Sequence, residues 1–398
     1  MPIHEHGDEE FVEADDVEQI IDVATGDVPL PDEEDEEGAD APPVDADMDD
    51  DTQMEEFKDD SVQGFFAHQE PVYCVAAHPT DPTLFATGGG DDKAYLWRAD
   101  TGETVTTLER HTDSVTSIAF SHDGLYLATG GMDGKVNVWQ VGDAAHIATL
   151  DGPDEVEWID WHPKGHILLA GARDTTLWMW QLPSGRCMHV FAGHSGAVTC
   201  GQFTPDGKWV VSGAEDGTLI LWDPKTAAAV TRISGSEDAR FHSGMVTALA
   251  VNADSTVVAT TSDDQTVKLV HLHTGQILGS LENNSEAIES VAFNDNMPLV
   301  AAGSLDGTVN LWDITTYRLR HTLQHDDAVI RVRWVPGTTW LVTCSADGSV
   351  RLWDGLTGQL LKQWLGHQET ILDFAVSCDK RTLVSGGDDG VALVFRYN

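Results

Sequence analysis

The chain has 398 residues, 41% of them hydrophobic, and carries a formal charge of -45. So acidic a surface repels phosphate backbones and anionic headgroups, which argues against nucleic acid or a membrane as a direct partner and favours a basic protein segment. Five cysteines, Cys74, Cys187, Cys200, Cys344 and Cys378, are scattered without CxxC spacing and read as reduced thiols of an intracellular protein. No apolar run approaches the about 18 residues of a membrane span, and the acidic N-terminus does not read as a signal peptide. The expected compartment is the cytoplasm, with the nucleus as a second.

Residues 1–60 hold 26 Asp and Glu against one Lys and no Arg. Too little apolar surface is present to offset chain entropy, and the segment is expected to be a disordered acidic tail. Within it, Phe11 to Val23 mixes acid with apolar side chains at partly helical spacing, a pattern that suits a linear motif folding on a partner as well as a solvated tail.

From Ser61 the pattern becomes periodic. Ser61 to Phe66 reads as a strand, and after it eight units follow in which Asp91, Asp133, Asp174, Asp216, Asp264, Asp306, Asp347 and Asp389 each stand six residues before Trp97, Trp139, Trp180, Trp222, Val270, Trp312, Trp353 and Phe395. One unit, His194 to Asp223, shows the plan: two alternating apolar segments around Pro205-Asp206-Gly207, then a tight turn at Asp216-Gly217 and a third strand ending on Trp222-Asp223. A lone unit of this kind cannot bury both faces, so copies must stack.

A period near 42 residues, Gly-His at one end and Trp-Asp at the other, resembles the WD40 repeat. The resemblance implies an all-β, eight-bladed WD40 β-propeller over residues 61–398, each blade built from strands a, b, c and an outer strand d. The last unit stops after strand c, so the strand at 61–66 is free to close blade eight. Deleting it should destabilise the whole propeller.

The same resemblance implies a buried relay in each blade: a leading His, a strand b hydroxyl, the turn Asp and the strand c Trp. His68, Thr87, Asp91 and Trp97 match in blade one, and His111, Thr129, Asp133 and Trp139 in blade two. Blade four has His194, Ser212, Asp216 and Trp222; blade seven has His325, Thr343, Asp347 and Trp353. Blades five and eight keep His242, Thr260, Asp264 and His367, Ser385, Asp389 but lack the Trp. Blades three and six lack the His and carry Ala170 and Ala302 for the hydroxyl. These four blades are expected to be less rigid. Recurrence of a Ser-His-Asp set once per blade marks it as structural, since a nucleophile is needed once and exposed. No Walker loop or metal-spaced cluster appears, so an enzyme, a cofactor or a metal is not expected. The extra residues at Ser234 to Arg240 read as tolerated loop length.

In such a propeller the start of strand a and the b–c turn share one face around the central channel. Read there, Glu155 and Glu157 of blade three, Glu215 of four, Asp263 of five, Glu289 of six and Asp388 of eight form an acidic ring, with Tyr73 and Trp158 interleaved and Arg173 as the basic exception. One sign of charge gathered on one concave face suits a basic peptide, whereas any one of these acids alone would read as a solvated rim. In blade three, Glu155 to Trp158 is expected to occupy the place of the missing His.

The segments HGDEEFVE at His6, GGGDDKAYLWR at Gly88, WHPKGHILLAGARDTTLWMW at Trp161 and HQETILDFAVS at His367 make the chain similar to the angio-associated migratory cell protein family. Its fungal members are chaperones that hold the N-terminal segment of a basic large-subunit ribosomal protein; its animal members are connected with migration and signalling. The resemblance therefore implies a monomeric escort protein in ribosome biogenesis that captures a basic segment on the acidic face. The competing expectation is a WD40 scaffold in signalling or cell migration. A ubiquitin-ligase receptor is disfavoured because Trp222-Asp223-Pro224-Lys225 and its counterparts lack the Arg of a Trp-Asp-x-Arg box.

Overall fold

The computed structural model describes residues 58–397. The acidic tail and its Phe11 to Val23 motif therefore lie outside the described residues, except at the tail's last three positions. The rest forms eight four-stranded antiparallel sheets, an eight-bladed propeller. Blade four shows the construction, with strand a at Cys200–Phe203, b at Val210–Gly213, c at Thr218–Asp223 and d at Ala228–Ser234.

Blade eight is composite. Gln63–Phe65 pairs antiparallel with Ala392–Arg396, matching Gln63 to Val394 and Phe65 to Ala392. The same junction is tied by the Asp60 N–H donating to Leu365 O at 2.8 Å and the Leu365 N–H donating to the Asp60 carboxylate at 3.1 Å. Pairing the two ends of the repeat removes the open sheet edge that a linear array would expose.

The core lies between the sheets. Alternation along each strand sends Leu169, Leu177 and Phe191 of blade three against Val198, Phe203 and Trp222 of blade four, all buried. Each such Leu or Phe contributes about 1.5 to 3 kcal/mol on burial. The residue after the turn Asp is left-handed in every blade; glycine supplies it in five, including Gly217 at φ 67°, whereas blade three places the β-branched Thr175 there at φ 74°.

The relays form, with one exception. In blade four His194 Nε2 meets Ser212 Oγ at 2.7 Å, and the Trp222 indole donates to the same oxygen at 2.8 Å. Asp216 accepts the Ser195 N–H at 2.7 Å and stands 3.5 Å from His194 Nδ1, so it ties the leading loop to the turn. Blades two, five, seven and eight repeat the His–Asp and His–hydroxyl contacts. Blade one is the exception: His68 binds Asp91 and Thr87 at 3.0 Å each, but the buried Trp97 Nε1 has no partner, so the expected relay stops short of its Trp.

The two blades without a leading His are not left empty. In blade three Pro153 stands in the histidine's place, its carbonyl facing turn Gly134 as the His325 and His367 carbonyls face Gly307 and Gly348. Trp178 lies against Gly152, stacked on Trp180 at 6.1 Å. In blade six an amide network takes over: Asn310 donates to Asn284 at 2.9 Å and accepts from Asn283 at 3.0 Å and from Thr322 at 2.6 Å. The expectation that Glu155 to Trp158 fills the histidine site is thus corrected, and the vacancy expected to loosen both blades is refilled.

Candidate functional site

The mouth of the channel is built by one backbone contact: in six blades the residue before the turn Asp donates its N–H to the residue before strand a, as Arg173 does to Glu155 and Asp388 to Thr370, and in blade four Glu215 donates to Ala197, three residues ahead of Cys200. In those seven blades it pins the b–c turn to the approach to its own strand a, so side chains from both reach the same face.

A second repeated feature, not legible in the sequence, is a register shift at the second residue of strand a. Tyr73, Glu157 and Glu289 are skipped by the pairing between Val72 and Cys74, Val156 and Trp158, and Ile288 and Ser290. A bulged residue is turned out of the pleat, and here it is turned toward the channel mouth.

The predicted acids gather as two clusters rather than an even ring. Glu155, Glu157 and Glu215 interact across blades three and four. Burial raises the Glu157 carboxyl above its ordinary range, the Arg173 guanidinium lowers it, and the charges of Glu155 and Glu215 raise it again. Arg173 is not a free exception, because it pairs with Glu155 at 2.6 Å and cancels much of that charge. Asp263 and Glu289 form the second cluster across blades five and six, where burial raises Glu289, Arg331 lowers it and Asp263 raises it. Asp388 is exposed on the turn of blade eight, and Tyr73 leans over Gly90.

Trp158 has a different role from its neighbours. Its indole covers Gly171 and Gly201, where a Cβ would collide with the ring, and donates to Val198 O at 2.9 Å. Most of the ring is therefore spent on joining blades three and four.

Below the mouth the channel encloses about 850 Å³ and is lined on opposite sides by Glu157 and Asp160 of blade three and by Arg331 and Arg333 of blade seven. The extra loop between blades four and five, expected to be mere length, walls a separate cavity of about 590 Å³ that borders Glu215. On the far face His122, Asp123 and His166 bring ligand atoms within 4.8 Å of one another, a set that could hold a metal ion. They come from the a–b turns of two blades, so no motif spacing announces them.

The family profile described as WD domain, G-beta repeat matches residues 60–98, 102–140, 145–181, 185–223, 233–271, 275–313, 317–354 and 358–396. Each match begins with the strand that completes the preceding blade, as the closing strand does for blade eight. Human angio-associated migratory cell protein is 39% identical over 352 residues, covering 85% of this chain and 80% of that protein. The ribosome assembly protein Sqt1 of Saccharomyces cerevisiae is 27% identical over 379 residues, covering 85% of this chain and 87% of that one. The crystal structure of Chaetomium thermophilum Sqt1 bound to the N-terminus of ribosomal protein L10 superposes with a TM-score of 0.81 at 29% identity, covering 85% of this chain and all of that one. On its eight repeats and its likeness to the human relative, the chain belongs to the angio-associated migratory cell protein family of WD-repeat propellers.

Proposed function

We propose that the chain is a non-catalytic binding protein that escorts a basic large-subunit ribosomal protein, holding its Lys/Arg-rich N-terminal segment on the acidic mouth. The observation that carries this reading is the pair of carboxylate clusters at Glu155, Glu157, Glu215 and at Asp263, Glu289. Their mutual repulsion leaves a negative potential that a cationic chain would relieve. The likeness to the Chaetomium thermophilum complex supports the choice of client. Masking the client's positive charge would keep it from RNA until its ribosomal site competes for the same segment. The Ser-His-Asp relays take no part in chemistry on this reading: Thr87, Thr129, Ser212 and Ser385 are fully buried, where no substrate reaches them. The protein acts as a monomer, in the cytoplasm and in the nucleus.

Fast, salt-sensitive association is expected. Glu157→Lys, Glu215→Lys and Asp388→Lys together should lower affinity for the N-terminal segment of the ribosomal protein by at least about tenfold, measured by fluorescence anisotropy in dilute salt. Binding that survives all three reversals would mean that this face is not the site, and would favour a scaffold using the outer wall.

A further inference from the structure

Two carboxylates inside the channel do the same work at different depths of strand a, Asp373 third in Ile371–Val376 and Asp160 fifth in Val156–Trp161, and are treated differently. Asp373 of blade eight accepts the Val75 N–H of blade one at 3.0 Å, and Asp160 of blade three accepts the Phe203 N–H of blade four at 2.7 Å. Each carboxylate therefore clamps its blade to the next. Asp373 is then neutralised by Arg333 at 2.9 Å, with Arg331 at 3.9 Å. Asp160 has no cation near it among the described residues. It is also the more accessible of the two, since Asp373 is buried and Asp160 only partly so.

A charge left uncompensated in a partly dry channel is costly unless something supplies the missing partner. Burial pushes the Asp160 carboxyl up to about 7 although the Phe203 and Trp161 N–H groups draw it down. Glu157, on the same strand at the mouth, leads toward it. Across the channel the two arginines Arg331 and Arg333 face a single lining carboxylate, Asp373, so that wall keeps a net positive charge and a cation entering is steered to the blade three side.

We propose that Asp160 is a cation-binding residue within the channel, receiving a Lys or Arg side chain, or the terminal ammonium, of the polypeptide held at the mouth. The inference rests on the mouth being the docking face for a basic segment and adds that the segment sends one charge inward. Mouth and channel then divide the work. The mouth attracts at long range, and Asp160 fixes the position of the chain along its length.

The test uses the full chain and a labelled synthetic arginine-rich peptide. Asp160→Asn keeps an oxygen to accept the Phe203 N–H. It is compared with Asp100→Asn, an equal charge change at an exposed residue of the outer rim of blade one. D160N should weaken binding by about tenfold, and D100N by less than about twofold. Gln202→Lys leaves the Asp160 clamp intact but places an ammonium on the blade four wall of the same channel, and should cause the same loss as D160N. The D160N deficit should persist as salt is raised, because a contact inside the channel is screened less than the mouth. Binding by D160N and Q202K indistinguishable from D100N would overturn the proposal, as would a loss confined to D160N and accompanied by a lowered melting temperature. If the charge reversals at the mouth abolish binding while D160N does not, the escort reading stands and the channel site falls; if neither matters, both fall.

Discussion

Blade seven and blade three stand opposite each other on the ring and fill the same space by different means. Blade seven keeps the polar solution. His325 meets Asp347 at 3.1 Å and Thr343 at 2.7 Å, and the buried Arg351 adds a bond to Asp347 at 3.0 Å. Blade three has no His–hydroxyl pair at the same place: Pro153 stands for the histidine, and Trp178 stacks on Trp180 and donates to Thr176 Oγ1 at 2.8 Å, which leads on to Asp174. The relay is thus one way to fill a fixed volume and fix the leading loop, and a well-packed indole is another. Blade three also carries Glu157 at the mouth and Asp160 in the channel.

If that comparison is right, the largest loss in blade three comes from removing the ring that replaced the relay. Trp178→Ala should destabilise the propeller by about 3 to 5 kcal/mol, read from chemical denaturation. A loss below about 1 kcal/mol would show that Trp178 is not what holds blade three.

In blade seven the equivalent break is electrostatic. Asp347→Ala leaves His325 Nδ1 without its acceptor and takes from the buried Arg351 one of its two carboxylate partners, Asp326 being the other, at a cost of about 2 to 3 kcal/mol. Asp174→Ala in blade three removes only local contacts to Thr176 and should cost about 1 kcal/mol. The same contrast should show in acid. Burial alone would raise the Asp347 carboxyl, but bonds from His325 and Ser349 outweigh it and hold the group well below the ordinary carboxylate range. A depressed carboxyl contributes stability that is complete above its unfolded value of about 3.9 and is lost as pH falls through the lower folded one. Wild type should therefore lose stability steeply below about pH 4, and D347A less steeply. Parallel acid curves for the two would remove Asp347 from the explanation.

The blade count, the leading histidines and the turn aspartates were all legible in the sequence, because each recurs at fixed spacing and a repeat averages out local ambiguity. What escaped it lies between blades. Nothing in the spacing of Glu155 and Arg173 shows that they pair, or that Trp158 spans to Gly201. Asp160 and Asp373 sit at strand positions where alternation promises only a face, and the sheets' radial stacking decides that this face borders the channel. The bulge that turns Glu157 and Glu289 to the mouth is likewise a property of pairing. Blade six makes the same point, since Asn283, Asn284 and Asn310 read as unremarkable polar residues until the fold brings them together.

The smallest effect separates two tryptophans that the sequence treats alike. Trp222 donates to Ser212, whereas Trp97 is just as buried and its Nε1 has no partner. Phe65, from the closing strand, stacks on Trp97 at 4.7 Å with the rings 12° from parallel, so that indole is held by its face rather than by its nitrogen. Replacing either Trp by Phe removes apolar volume. In Trp222→Phe a satisfied hydrogen bond is lost as well, and the change should cost about 2 to 3 kcal/mol. In Trp97→Phe an unsatisfied buried donor is removed, which offsets the lost volume, so the net change should stay within about 1 kcal/mol. Paired urea denaturation of the two variants measures the difference directly, and equal losses would mean that the Trp97 nitrogen is satisfied in solution.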